Sequence, residues 1–304
     1  MRENTKNLLK KLYGNINFSH SAINVREDSH SCMRSNSENI IISDMEDKSG
    51  INIFIKSAAK GERVFIPAVI NKSNITDVVK NDFYIEDGAE VVIQAGCAIH
   101  TDSNLESIHN GIHRFFIGEN AKVSYFEKHF GEGSLAKRVI SPVTEVTMKK
   151  GSSFFMDSIQ LDGVSFTERT TKAVVMEGAT LDVNERILTQ GEQESISKFD
   201  VDVVGEGASV NIVSRSVAKD NSKQTLESNI TGSAPCNGHS ECDAILEGNG
   251  KAIAIPALIA NHPEASLVHE AAIGRISKQQ IEKLQTLGLD EEEAENYIVK
   301  GFLK

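Results

Sequence analysis

At 304 residues the chain is long enough for one elongated domain or two ordinary ones. Its 39% hydrophobic and 25% charged residues, with only 5 Pro, fit a folded globular protein and exclude a disordered or collagenous one. Lys and Arg number 32 against 43 Asp and Glu, a net charge of −11, which weighs against broad nucleic-acid backbone binding and against an anionic membrane surface.

The N-terminus, from Arg2 to Lys11, is basic but carries no apolar signal segment. The longest apolar run, Ala252 to Ala260, is short and is broken by Pro256. The expectation is a cytoplasmic protein without signal peptide or membrane span. Four scattered cysteines, Cys32, Cys97, Cys236 and Cys242, read as reduced thiols of which some are free to bind metal.

In chain order, Glu3 to Tyr13 places Leu8, Leu9 and Leu12 on one face ahead of Gly14, the pattern of a short amphipathic helix with a glycine stop. Short β-rich stretches follow: 51–55, 63–70, 89–93, 121–126, 143–148, 154–161, 172–176, 181–187, 198–204 and 209–214. Most alternate apolar and polar residues, as in Val210-Asn211-Ile212, so one face of each is buried. Turns of common shape recur at Gly88, Gly118, Gly151, Gly178 and Gly207. A period near thirty with a strand on either side of each turn is the signature of a β-solenoid, in which each coil buries its apolar face only on the next and Gly supplies the positive-φ corner. An antiparallel sandwich also has short strands and glycine turns. The scarcity of Asn-Gly or Asp-Gly hairpin signals between the strands favours the solenoid. At the C-terminus, Ser277-x-x-Gln280 and Asp290-x-x-Glu293 are capping boxes opening two helices separated by Gly288, a closing helical hairpin. The terminal helices are candidate end caps.

No P-loop, nucleophile elbow, zincin helix or Cys-x-x-Cys is present, so any ATP hydrolysis belongs to another chain. Thiolate, imidazole and carboxylate groups concentrate in Pro235-Cys236-Asn237-Gly238-His239-Ser240-Glu241-Cys242-Asp243 and in Val268-His269-Glu270. These are the ligand classes of iron and zinc. The two stretches lie about one coil apart, which brings Cys242 near His269 and Glu270 on successive rungs. Taken singly, Cys242 is equally a small buried residue, His239 a turn residue and His269 a hydrogen-bonded cap. A second group, Cys97, His100, His109 and His113, fits no closed zinc spacing and equally suits surface histidines beside a buried strand. His20, His30 and Cys32 have no assignable partner.

The run from Gly238 to Asp243, through Ala265-Ser266-Leu267-Val268-His269-Glu270-Ala271-Ala272-Ile273-Gly274-Arg275-Ile276, to Gly288-Leu289-Asp290 and Gly301-Phe302, closely resembles the C-terminal signature of the SufB/SufD family. That family comprises scaffold subunits of the SUF iron–sulfur cluster assembly machinery. Ile85 to Val91 and Phe116 to Val123 are similar to its core repeats, so the resemblance covers roughly residues 50 to 304. It implies an all-β core, a right-handed parallel β-helix with short helical ends. The division is then an N-terminal helical or irregular segment at 1–37, a β-helix core at 38–274 and an ATPase-docking hairpin at 275–304.

It implies further a non-enzymatic scaffold that holds a transient iron–sulfur cluster at a dimer interface. Cys242 would be thiolate ligand or persulfide acceptor, with His269 and Glu270 as further metal and cluster ligands. The implied partners are a SufC-type ABC ATPase, a second copy or a paralogous SufB/SufD subunit, and cluster acceptor proteins, without nucleic acid or membrane. Carrying all three residues, the chain is more similar to the SufB type, in a short form without an extended N-terminal region. Cys236 has no family role. The alternatives are a SufD-like subunit that binds the ATPase but no cluster, and a β-helix enzyme acting on polysaccharide.

Overall fold

Strict alternation of inward and outward side chains leaves each strand with an apolar or small-residue face that only a neighbouring coil can cover. The computed structural model describes residues 2–14, 18, 20–101, 104–133 and 137–304, with only the backbone at Asp162. Of the N-terminal segment, Met1 and residues 15–17 and 19 lie outside the described residues. In chain order the elements are α1 (Glu3–Tyr13), β1 (Ser21–Glu27), β2 (His30–Ser35), β3 (Ile40–Asp44), β4 (Gly50–Ile55), β5 (Lys60–Ile70), β6 (Thr76–Ile85), β7 (Glu90–His100), β8 (Ser107–Ile117), β9 (Lys122–Glu132) and β10 (Arg138–Ile140). They continue with β11 (Val143–Met148), β12 (Ser153–Asp162), β13 (Phe166–Val175), β14 (Thr180–Thr189), β15 (Glu194–Val203), β16 (Ser209–Ala218), β17 (Lys223–Gly232), β18 (Cys236–Leu246), β19 (Lys251–Ala260), β20 (Ala265–Gly274), α2 (Lys278–Gln285) and α3 (Glu291–Phe302).

Two sheets wind around one another. One has the order β2-β1-β5-β7-β9-β12-β14-β16-β18-β20 and the other β19-β17-β15-β13-β10-β8-β6-β4-β3, with β11 also lying between β8 and β13. Pairing is parallel except at β1–β2 and β3–β4. Parallel neighbours two strands apart in sequence are the mark of a solenoid and exclude the antiparallel sandwich.

Three features depart from the sequence reading. Strands β1 and β2 occupy residues read as helical or irregular, because β2 is a polar edge strand with no buried face to betray it. Strands β6, β8 and β17 to β20 fall outside the alternating stretches; in β8, β17 and β18 the inward positions hold His109, His113, Ser228 and Ser240 in place of aliphatic side chains. The helices are not end caps. Helix α1 lays Leu8, Leu9 and Leu12 against Ile23, Phe65, Val69 and Ala98, whereas α3 sets Val299 on Val217, beside Leu188 and Ile245. Both cover outward-facing side chains of the first sheet. At the corners, Gly178 and Gly207 take φ of 61° and 70°, but at the 118 corner Asn120 supplies the positive φ of 55°. Gly118 is needed there for a different reason: a Cβ would lie 2.6 Å from the Asp87 backbone nitrogen.

The interior is apolar at the turns and polar midway along the strands. Buried Arg169 places Nη1 2.7 Å from Glu127 Oε2 and Nε 3.6 Å from Glu185 Oε1. Ser197 and Ser214 donate to Glu185 at 2.7 and 2.9 Å. Burial pushes the Glu127 carboxyl up, but Arg169 and His129 outweigh it and hold it well below the carboxylate range. For Glu185 burial wins, and its pKa is raised despite Arg169. Replacing Arg169 by Met strands two carboxylates in the interior. Arg169→Met is expected to cost about 3–5 kcal/mol, read as a lowered urea midpoint; an unchanged midpoint would show that the chain of charges is not coupled.

Candidate metal-binding site

Strands β18 and β20 pair in parallel with Ser240 opposite His269, Glu241 opposite Glu270 and Cys242 opposite Ala271. Alternation on β18 turns Cys236, Gly238, Ser240, Cys242 and Ala244 inward and leaves His239, Glu241 and Asp243 on the outer face. Cys242 is 5% exposed and packs in the main apolar core. On β20 the same parity turns His269 inward beside Ser240 and Glu270 outward beside Glu241. The three candidate ligands are therefore on adjacent rungs but split between faces: Cys242 and His269 on the inner one, two register positions apart, and Glu270 on the outer one. The cause is arithmetic. One rung on from Cys242 the chain returns at Ala271, and Glu270 falls a single position short of it.

On the inner face, His269 Nδ1 is buried without a hydrogen-bond partner. Cys242 lies opposite Ser214, whose hydroxyl holds Glu185. A cavity of about 20 Å³, lined by Glu185, Ser197, Ser214, Gln224 and Cys242 among others, has room for about one water molecule. Burial first, then the charges of Glu185 and Asp243, push the Cys242 thiol up to about 11. On the outer face His239, Glu241 and Glu270 bring one ligand atom each within 4.8 Å of one another. His239 and Glu241 belong to the Cys236–Asp243 stretch, in which His239 reads as a turn residue from sequence. Counting alternate positions back from Cys242 is the signal that puts them together.

The second candidate group is not a surface one. His109 and His113 face the interior at 5% and 6% exposure, and Cys97 is buried beside them. His109 Nδ1 is 3.0 Å from Asp77, His113 Nδ1 3.3 Å from Asn81, and His129 Nε2 3.1 Å from Glu127. Burial pulls His113 down to about 4 and also lowers His129. His100, half-buried, faces Glu132. The group is a hydrogen-bonded polar core. Glu127, His129, Arg169 and Glu185 escape the sequence reading, although the alternation through Val123 and Tyr125, back from Ala173, and through Leu181 and Val183 marks all four as inward.

Residues 69–302 match the family model described as SUF system FeS cluster assembly, SufBD core domain. The chain is 32% identical over 238 residues to an iron–sulfur cluster assembly SufBD family protein of Methanocaldococcus jannaschii, covering 77% of this chain and 74% of that one. A SufBD family protein of Archaeoglobus fulgidus is 32% identical over 265 residues, 86% of this chain and 70% of its own. The iron–sulfur cluster assembly protein SufD of Bacillus subtilis is 22% identical over 266 residues, 84% of this chain and 59% of its own.

The raised thiol of Cys242 has a measurable consequence. Only the thiolate is nucleophilic, so alkylation of Cys242 in the folded protein is expected to be slow at pH 8 and to accelerate as pH approaches 11, while exposed Cys32 reacts early. Glu185→Gln, which removes the nearby negative charge, shifts the Cys242 profile to lower pH. Because the folded pKa lies above the ordinary value of 9.0, the shift stabilises the fold fully below pH 9, and that contribution vanishes as pH rises through 11. Peptide mass spectrometry of timed alkylation reads the profile; a Cys242 rate already maximal at pH 8 contradicts it.

Proposed function

The chain belongs to the SufBD family of the SUF iron–sulfur cluster assembly system, and on that premise we propose that it is a cluster-building scaffold, working as a pair of copies with a SufC-type ATPase. The observation that carries this reading is the placing of a thiol and an imidazole, Cys242 and His269, on the inner face of the last two rungs of one sheet, two positions out of register. Among the described residues no further rung lies over His269, since β20 ends the sheet order. Cys242 serves as thiolate ligand and His269 as nitrogen ligand, with Glu270 an oxygen donor on the outer face of the same rung. A mixed set of this kind binds a cluster less tightly than four thiolates, which suits a cluster that has to be passed on.

The ends of the solenoid support a paired scaffold. Strands β19 and β20, ten residues each, close the two sheets with parallel edges that pair on one side only. They expose Ile253, Ile255, Ile259, Val268 and Ile273. Long apolar edges of this kind are templates for a further strand, and a second copy set edge to edge continues both sheets across a two-fold axis. The cluster then forms where the two terminal coils meet, with ligands from both.

With no P-loop in the chain, ATP acts through a partner, and the α2–α3 hairpin is the proposed dock. Leu287 and Tyr297 are exposed on it at 76% and 66%. The inner side of α3 rests on Val217 and Ile245, so a pull on α3 reaches β16 and β18, the strands that hold Ser214 and Cys242. Such a pull offers a two-state route for uncovering the buried thiol. Among the described residues no helix is long and apolar enough to cross a membrane.

Anaerobic reconstitution with iron and sulfide, alone and with the ATPase, tests the reading. Broad absorption near ~400 nm is expected from thiolate-bound cluster, and Cys242→Ser is expected to abolish it while circular dichroism and ATPase binding stay unchanged. A Cys242→Ser protein that still builds a full cluster refutes the ligand assignment. A colourless wild-type protein that binds the ATPase marks a SufD-like structural subunit instead.

A further inference from the structure

The geometry points to a second metal site on this coil: His239, Glu241 and Glu270 form a ferrous-ion loading site on the outer face, separated by the thickness of the sheet from the thiol on the inner face. The donor atoms come from two rungs. His239 and Glu241 are alternate residues on β18, and Glu270 is the in-register neighbour of Glu241 on β20. One nitrogen and two carboxylate oxygens lie within 4.8 Å of one another. His239 Nε2 stands 3.8 Å from Glu270 Oε2, and that is the one ion-pair contact of Glu270 among the described residues. This separation is too long for a hydrogen bond, yet a cation with ligand distances of about 2.0–2.2 Å fits between the two atoms.

The imidazole is prepared from a third rung. Its Nδ1 lies 2.9 Å from Asn211 Oδ1 on β16. Since the amide oxygen only accepts, Nδ1 carries the proton and the lone pair of Nε2 is turned toward Glu270. A fixed tautomer and ring plane, held by an outer hydrogen bond, are what metal-ligating histidines use. Neither glutamate is closely neutralised: Arg215 approaches Glu241 only to 3.8 Å. The Glu270 side chain is 67% exposed, so the site opens to solvent and leaves positions for water.

One imidazole with two carboxylates suits Fe2+, Mn2+ or Zn2+ and disfavours Cu+. The choice of iron rests on the assembly reading; the site itself does not. The ion binds and departs as Fe2+, so no oxidant or reductant is needed. Glu270 is common to the two ligand sets, but Glu241 and Cys242 are adjacent residues on opposite faces of β18, so Cys242→Ser and His239→Ala each alter one set alone.

Anaerobic equilibrium dialysis of the full chain against Fe2+, without sulfide, tests this. One Fe2+ per chain is expected in the wild type and equally in Cys242→Ser. His239→Ala and Glu270→Gln, both at solvent-accessible positions, are expected to lose at least tenfold in affinity, and Asn211→Ala roughly ten- to a hundredfold through the freed ring. Absence of bound iron in the wild type overturns the proposal, as does binding that Cys242→Ser abolishes and His239→Ala spares. The scaffold reading fails separately, if iron loads as described and added sulfide yields no cluster.

Discussion

Parallel, in-register stacking is the constraint from which the rest of this molecule follows. From β12 to β20 the neighbouring rungs of the first sheet pair residue for residue, for example from Ser209 opposite Asn237 to Ala218 opposite Leu246. The side-chain period of a strand is two, so once the register is set every residue is committed to the core or to the outside. Rung lengths vary along the chain, and a single residue of difference moves a side chain through the sheet. The terminal coil shows what this does to chemistry. A soft thiol and an imidazole are assigned to the interior, and an imidazole with two carboxylates to the solvent, by two paired strands, β18 and β20, whose neighbouring residues point in opposite directions.

The same constraint explains why the interior can hold charge. In a stack of similar rungs an inward polar residue recurs beside an inward position of the next coil, so Glu127, Arg169 and Glu185 meet although they come from three separate strands, β9, β13 and β14. A lone buried charge is prohibitive, whereas a line of alternating charges finished by serine hydroxyls is tolerable. The line ends near Cys242, where burial first and then the charges of Glu185 and Asp243 push the thiol up. Reactivity at Cys242 therefore depends on a change of environment, which a helix resting on the same strands is placed to provide.

The two ends of the coil are treated differently. At the N-terminal end the sheets finish in antiparallel strands, β2 and β3, of which β2 is mostly polar and exposed except at half-buried Arg34. Such an edge resists further pairing. At the C-terminal end the sheets finish in full-length parallel strands with isoleucines exposed. The helices that could have masked that end lie along the flank instead, bound by outward-facing apolar residues. The asymmetry leaves one end of the solenoid with unpaired full-length edges and places Cys242 and His269 on one face, and His239, Glu241 and Glu270 on the other, beside it.

Much of this was legible in the residues themselves. The regular recurrence of glycine corners, the alternation of Val210-Asn211-Ile212, the capping boxes at Ser277 and Asp290 and the resemblance of the Cys242 and His269 stretches sufficed for the solenoid, the closing hairpin and the family. Strands whose inward positions are His or Ser escaped, because a polar interior erases the hydrophobic period on which such reading depends. Cys242, His269 and Glu270 could be named from sequence, and their adjacency within one coil inferred. Which of them share a face could not, since the spacing from Cys242 to His269 or to Glu270 means inward or outward only against the actual length of that coil. That length is set by how corners and strands of neighbouring coils pack, and so the pairing of Cys242 with His269, and of Glu270 with His239 and Glu241, was decided by the tertiary structure alone.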